Sequence, residues 1–236
     1  MKLFRRFAAS GRAVMVAAAL MFPGSALLCQ DYVLSFRLSP VISWLHPNIS
    51  TLSNKGTRTG FDLSASVEKY FADHFAVTGG LSFVTSGGRL VSDVPYVFKL
   101  HSSTPVVPAG KPVIYKVQYL TVPVGLKFRT SENNLISWFG EAGFDPGIVI
   151  RGRADIPVLD LKDEKAMTEI KFFSLGYHLT GGMNYSVGET TFLSLGVGFG
   201  NNFTDLTKDV GGQEKDKTAQ RFLKFVFGIN FLPSWE

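Results

Sequence analysis

The chain has 236 residues, enough for one large domain or two small ones, with 21 Phe, 24 Gly and a formal net charge of +5. Residues 1–29 hold Lys2, Arg5, Arg6 and Arg12 and no acid, which leaves 20 basic against 19 acidic residues in the remainder. That balance excludes a polyanion-binding surface set by bulk charge, so no nucleic-acid partner is expected.

The first element in chain order reads as a secretory signal. "MKLFRRFAASGR" is a positive leader, and "AVMVAAALMF" (Ala13 to Phe22) is an apolar run of ten residues. Pro23 and Gly24 break the run, which is too short to span a bilayer, since that takes about 20 apolar residues. Cleavage is expected after Ala26 or just before Gln30. The chain therefore divides into a signal peptide, 1–29, and one domain, 30–236. The single cysteine, Cys29, follows Leu28 rather than the small residue of a lipoprotein signal. It is expected to leave with the signal, so the mature chain has no intramolecular disulfide.

Beyond the signal, helical periodicity is weak and strict alternation recurs. In "FDLSASVEKYF", Phe61, Leu63, Ala65 and Val67 share one face, and Asp62, Ser64, Ser66 and Glu68 share the other. In "TFLSLGVGFG", Leu193, Leu195, Val197 and Phe199 oppose Ser194, Gly196, Gly198 and Gly200. Eight such segments are expected, near residues 32–45, 59–70, 74–86, 112–128, 134–150, 168–185, 190–202 and 219–232. Their links alternate. Short ones fall around Ala72–Asp73, Ser131–Asn134 and Gly188–Glu189. Long polar ones cover about 46–58, 87–111, 151–167 and 203–218.

An even strand count with alternating short and long connections is the pattern of a transmembrane barrel. The expected fold is all-β, an eight-stranded antiparallel up-and-down β-barrel in the outer membrane, with outer-membrane lipid against its apolar face. A soluble lipocalin-like barrel would bury the apolar side instead. Glycine and charge on the opposite side argue against a dry core there. Tyr32, Trp44, Tyr70, Phe71, Trp138, Tyr185 and Trp235 lie near strand ends, where interfacial aromatics gather. Pro123 sits inside a strand and in the inward row. It is expected to fall at a bulge, because proline cannot donate to a ladder.

The lumen-facing charges are the candidate site residues: Arg37, Asp62, Glu68, Lys116, Lys127, Glu141, Asp145 and Lys224. An ion path and an internal salt-bridge network are the two readings. Pairing is the expected one, because an unpaired buried ion costs several kcal/mol. His178 is expected on an inward face with Ser174 and Thr180, beside the strand that carries Glu141. A hydrolase built from Ser, His and Glu would need hydrogen-bond contact between nucleophile and base, and no GxSxG elbow is present.

No catalytic residue, cofactor or metal is therefore assigned. His46, His74, His101 and His178 are scattered without HxH, HExxH or CxxC spacing, and Asp205 and Asp209 lie in no EF-hand pattern. The glycine pairs, Gly79–Gly80, Gly87–Gly88, Gly181–Gly182 and Gly211–Gly212, form no phosphate loop and are expected to permit curvature. The long link with Pro95, Pro105, Pro108 and Pro112 is the candidate contact surface for other envelope proteins or a surface polymer.

The stretch "YLTVPVGLKF" (Tyr119 to Phe128), with its aromatic-Leu-x-aliphatic-Pro opening and its Lys-aromatic end, resembles the PorT-like outer-membrane β-barrel family of Bacteroidota. The strand-and-glycine rhythm and a signal ending near Gln30 are similar to that family as well. The resemblance covers most of the mature chain, and it implies an outer-membrane barrel with a role in protein secretion. The end of the chain departs from the usual assembly signal: Pro233 interrupts the last strand, and Trp235 is followed by Glu236. The expected function is a non-enzymatic barrel of secretion or envelope assembly. Its alternatives are a structural or adhesive surface barrel akin to OmpX and, third, a lipid-modifying enzyme. Oligomeric state is not set by any of these features.

Overall fold

A computed structural model describes residues 32–101, 103–207 and 217–233. The expected signal peptide, Cys29, Asp209, Gly211–Gly212 and Trp235 lie outside the described residues. In chain order the strands are β1 (Tyr32–Pro47), β2 (Leu52–Gly56), β3 (Arg58–Ala72), β4 (Phe75–Ser92), β5 (Tyr96–Val97), β6 (Val106–Val107), β7 (Pro112–Thr121), β8 (Val124–Arg129), β9 (Ile136–Ile156), β10 (Leu161–Lys165), β11 (Phe173–Ser186), β12 (Thr191–Asn202) and β13 (Thr218–Phe231).

Eight antiparallel staves close on themselves. β1 pairs β3, β3 pairs β4, β4 pairs both β7 and β8, and these two pair β9. β9, β11, β12 and β13 follow in order, and β13 returns to β1 with Leu34 opposite Phe231 and Pro47 opposite Thr218. Closure leaves the wall without an edge, so backbone groups at membrane depth find partners inside the sheet. The short links gather at the end that carries Tyr32 and Phe231. By the general rule for such barrels, short links are expected at the periplasmic end and long ones at the extracellular end.

Alternation converts directly into two surfaces. Phe36 and Leu38 are 52% and 55% exposed on the outer wall, while Ser35 and Ser39 on either side of them are buried in the lumen. Leu63, Leu81, Leu126, Leu179 and Phe227 continue the exposed apolar belt around the barrel. So wide a band of exposed leucine and phenylalanine would be an aggregation hazard in water, and lipid is the solvent that suits it. Aromatic groups frame it. Phe75 stacks on Phe71 and meets Phe128 at a tilt at the end with the short links, and Tyr177, Phe203 and Phe144 cluster at the other. Tyr70 departs from the expected girdle. It shares the inward row of β3, and its hydroxyl donates to Glu68 Oε2 at 3.3 Å.

Pro123 occupies no bulge. The register runs unshifted from Thr121 to Val124 against both neighbouring staves, and the shift in this wall lies higher, at Gln118–Tyr119 opposite β9. Pro123 still accepts from the Gly80 N–H at 3.1 Å, and Val122 donates to the Pro146 carbonyl at 2.8 Å. In a narrow antiparallel pair each residue both gives and takes. The two prolines only take, so the Gly80 and Val122 carbonyls receive no ladder donor from these positions.

Several staves outrun the sequence reading at the extracellular end: β4 reaches Ser92 and β9 reaches Ile156, while β11 begins at Phe173. The overhang carries β2 and β10 on its margins and a small β5–β6 hairpin above. It encloses an apolar cluster in which Leu45, Phe98, Val107, Val113, Ile156 and Ile170 are almost wholly buried. The segment from 93 to 111, expected as part of a long polar link, thus supplies core residues to a crown above the membrane.

Candidate functional site

The lumen is crossed by a layer of paired charges. Glu68 is its hub. Its Oε1 accepts from Lys127 Nζ at 2.5 Å, from Ser35 Oγ at 3.1 Å and from Arg37 at 3.2 Å. The other guanidinium nitrogen of Arg37 donates to Glu141 Oε2 at 2.8 Å. Glu141 Oε1 takes Thr78 Oγ1 at 3.4 Å and faces His178 Nε2 at 3.5 Å, and His178 Nδ1 lies 2.9 Å from Asp145. Five strands and the β8 half-stave supply these groups, because every one occupies the inward parity of its own strand. Lys127 also lies over the Phe139 ring, 4.8 Å from its centroid.

A second pair sits beside this layer. Lys224 Nζ reaches Asp62 at 3.1 Å, and Ser82 donates to the other oxygen of the same carboxylate. Both ring nitrogens of His178 face carboxylates, and as an imidazolium the ring donates to both. The lumen then holds four cations, Arg37, Lys127, His178 and Lys224, against four carboxylates, Glu68, Glu141, Asp145 and Asp62. Pairing offsets a desolvation cost that would otherwise be several kcal/mol per ion.

Glycine makes room for the layer at one critical place. A Cβ on Gly143 would stand 2.7 Å from His178 Cε1 and 2.5 Å from the Val124 carbonyl. Glycine there lets the imidazole lie against the wall between its two acids. Toward the periplasm, Ser35, Asn230, Ser194 and Asn184 link hydroxyls and amides from one stave to the next. Toward the outside, only a small cavity remains, lined by Arg37, Ser64, Ser86, Asn202, Gln220 and Lys224, among others. The Tyr119 hydroxyl donates to Gln220 at its upper margin. Above that the apolar crown cluster closes the barrel.

Seven of the eight charges expected inside are there. Lys116 is the exception. The inward row of β7 is Val113, Tyr115, Val117 and Tyr119, so Lys116 stands on the outer wall. Its Nζ lies 2.6 Å from Asp155 and 3.7 Å from Asp163. Asp163 also holds Arg153 through its carboxylate and its carbonyl, and its N–H donates to Asp155 Oδ1 at 2.7 Å. Burial alone would push the Asp155 carboxyl up, but the Lys116 bond and the Asp163 N–H outweigh it and hold the group below the usual aspartate range.

The sequence reading missed this outer cluster because residues 151–167 looked like a loop. It also missed the neutral partners Ser35, Thr78, Ser82 and Asn230, although their inward parity was readable. The Ser174 hydroxyl accepts from Asn202 at 2.9 Å and makes no contact with His178. Asp205 clips the outer loops, taking Lys171 Nζ and the Thr218 N–H, each at 2.8 Å. Among the described residues no group of three metal-ligating side chains converges.

Residues 30–208 match the family described as outer membrane protein beta-barrel domain. No curated protein matches the chain. Among solved structures, neisserial surface protein A is 11% identical with a TM-score of 0.48, over 86% of this chain and 97% of that one. OprG of Pseudomonas aeruginosa is 11% identical with a TM-score of 0.47, over 86% and 95%. Ail, the attachment invasion locus protein of Yersinia pestis, is 12% identical with a TM-score of 0.40, over 85% and 99%.

Proposed function

The chain belongs to the outer membrane protein beta-barrel domain family and resides in the outer membrane, and from that premise we propose that it is a non-conducting, non-enzymatic surface barrel of the OmpX kind. Its work is to hold a folded crown outside the cell. The observation that carries this reading is the filled bore. A layer of ion pairs crosses it at Arg37, Glu68, Glu141 and Lys127, and a buried apolar cluster seals it above. A pore would need a continuous wet path, whereas eight strands leave an interior that side chains can fill. The crown rests on staves that continue unbroken out of the membrane, which suits a stiff presenting surface for other envelope proteins or a surface polymer.

Reconstitution in a planar bilayer tests this. The expected record shows no ohmic steps at moderate voltage. Stable unitary conductance from the wild-type chain would overturn the reading. A hydrolase reading is disfavoured by His178, whose ring nitrogens both face carboxylates, and by Ser174, which is bound to Asn202.

Secretion is the second reading, favoured by the PorT-like strand "YLTVPVGLKF". Under it, a deletion strain would lose many exported proteins, with precursors accumulating in the periplasm. Under the surface-barrel reading the exported proteome stays unchanged, and adhesion or envelope integrity shifts instead. N-terminal sequencing of the purified barrel tests the signal peptide, with a start between residues 27 and 30 expected.

A further inference from the structure

The outer wall carries a row of cations directly above the apolar belt. Lys116 on β7 stands opposite Arg153 on β9, and Arg153 stands opposite Lys165 on β10. Directly opposed residues share a face, so these three side chains project together from the wall. The bulge opposite Gln118–Tyr119 adds a fourth. It lets the consecutive residues Ile150 and Arg151 both point outward, with Ile150 46% exposed and the Arg151 side chain 49% exposed. An aliphatic group facing lipid is thus followed at once by a guanidinium. Below Ile150 the outer face of the same stave continues with Phe144 and Trp138, both exposed.

Asp155 and Asp163 stand among these cations and arrange them without neutralising them. Two carboxylates meet four cations. Lys116 and Arg153 are held, while Arg151 stays 3.8 Å from Asp163, outside hydrogen-bond reach. Lys165 is exposed and makes no ion pair among the described residues. A guanidinium with unused donors matches phosphate oxygens two at a time, and an ammonium adds a point charge. The position selects the source of the phosphate. A ligand that fits must offer anionic oxygens at the row and acyl chains on the belt directly beneath it.

We propose that this wall of β7, β9 and β10 holds the phosphorylated headgroup of an outer-leaflet lipid, fixing the height of the barrel in the membrane and binding a boundary lipid specifically. The site is distinct from the lumen layer, with which it shares no residue.

The test uses the full chain purified in non-ionic detergent and mixed with phosphatidylglycerol or phosphatidylcholine of the same acyl length. Lipid retained per barrel is counted by native mass spectrometry. The wild type is expected to retain the anionic lipid in preference. The triple variant Arg151→Gln, Arg153→Gln, Lys165→Gln is expected to lose that preference about a hundredfold, as removal of three cations from an anionic headgroup contact implies. Its heat-dependent gel shift should be unchanged, which shows that it folds. A control pair at the periplasmic end, Lys69→Gln with Arg129→Gln, should keep the preference. Equal retention of the two lipids by the wild type, or full preference in the folded triple variant, would overturn the proposal. So would displacement of the lipid by inorganic phosphate at matched concentration, which would mark a free-anion site. If the triple variant fails to fold, the single variant Lys165→Gln decides, because its side chain holds no ion pair: unchanged preference overturns the site.

Discussion

Single side chains differ here by where their charge is buried rather than by their type. Glu68 is 1% exposed and takes donors from four residues, so its removal strands Lys127 in the lumen and leaves Arg37 with Glu141 alone. Glu68→Ala should cost about 3–5 kcal/mol, the usual penalty for breaking a buried ion pair. Asp163→Ala, at a half-exposed carboxylate on the outer wall, should cost under about 1 kcal/mol. Urea midpoints of the two variants in lipid vesicles separate these outcomes. The outer cluster also has a pH signature. Asp155 is held below its unfolded value of about 3.9, so its contribution is complete above that pH and is lost as pH falls through the lower folded value. The protection of the Asp163 amide from hydrogen exchange, relative to the intrinsic rate at each pH, should therefore stay high at pH 5 and fall only in stronger acid.

At the scale of elements, the β7–β8 stave is the instructive one. It is broken in name at Val122–Pro123, yet its register carries through, because the alternating side chains on both neighbours demand it. Two things oppose each other when Pro123 is replaced. Pro123→Val supplies an N–H for the Gly80 carbonyl, worth about 0.5–1.5 kcal/mol net. It also frees the unfolded chain, which costs about 0.4–1 kcal/mol. Stability should barely move. The new amide at position 123 should nevertheless be protected from exchange like its neighbours, and rapid exchange there would show that the ladder does not close.

Across the whole molecule the decisive feature is which surface meets which solvent. Leu179, midway along β11, is 53% exposed to lipid, whereas Val106 is 57% exposed on the crown hairpin. An aliphatic-to-cation change should therefore read differently at the two positions. Leu179→Arg should destabilise by about 2–4 kcal/mol, as charge near the bilayer midplane does. Val106→Arg should leave the unfolding midpoint unchanged. Equal effects would contradict the membrane placement of the belt. The crown follows the same logic in reverse: it lies beyond the lipid, so it needs a buried apolar core of its own, and Phe98, Val107 and Ile170 supply it.

The alternation of Leu, Val and Phe with Ser, Gly and charge determined the eight staves, the apolar outer face and the inward row by itself, because side-chain direction along a strand is a local, period-two property. The order of short and long links determined the ends in the same way. Tertiary structure alone decided that Arg37 lies between Glu68 and Glu141, residues 31 and 104 positions away, since register between distant strands is set by the closed ring. It also decided the fate of Lys116 and of residues 151–167. The inward row of β7 carries Tyr115 and Val117, and one bulge reverses the parity of β9 above Ile150. Beyond that point the stave leaves the membrane, and a stretch whose charge looked like loop is instead held as sheet by its pairing with β7 and β10.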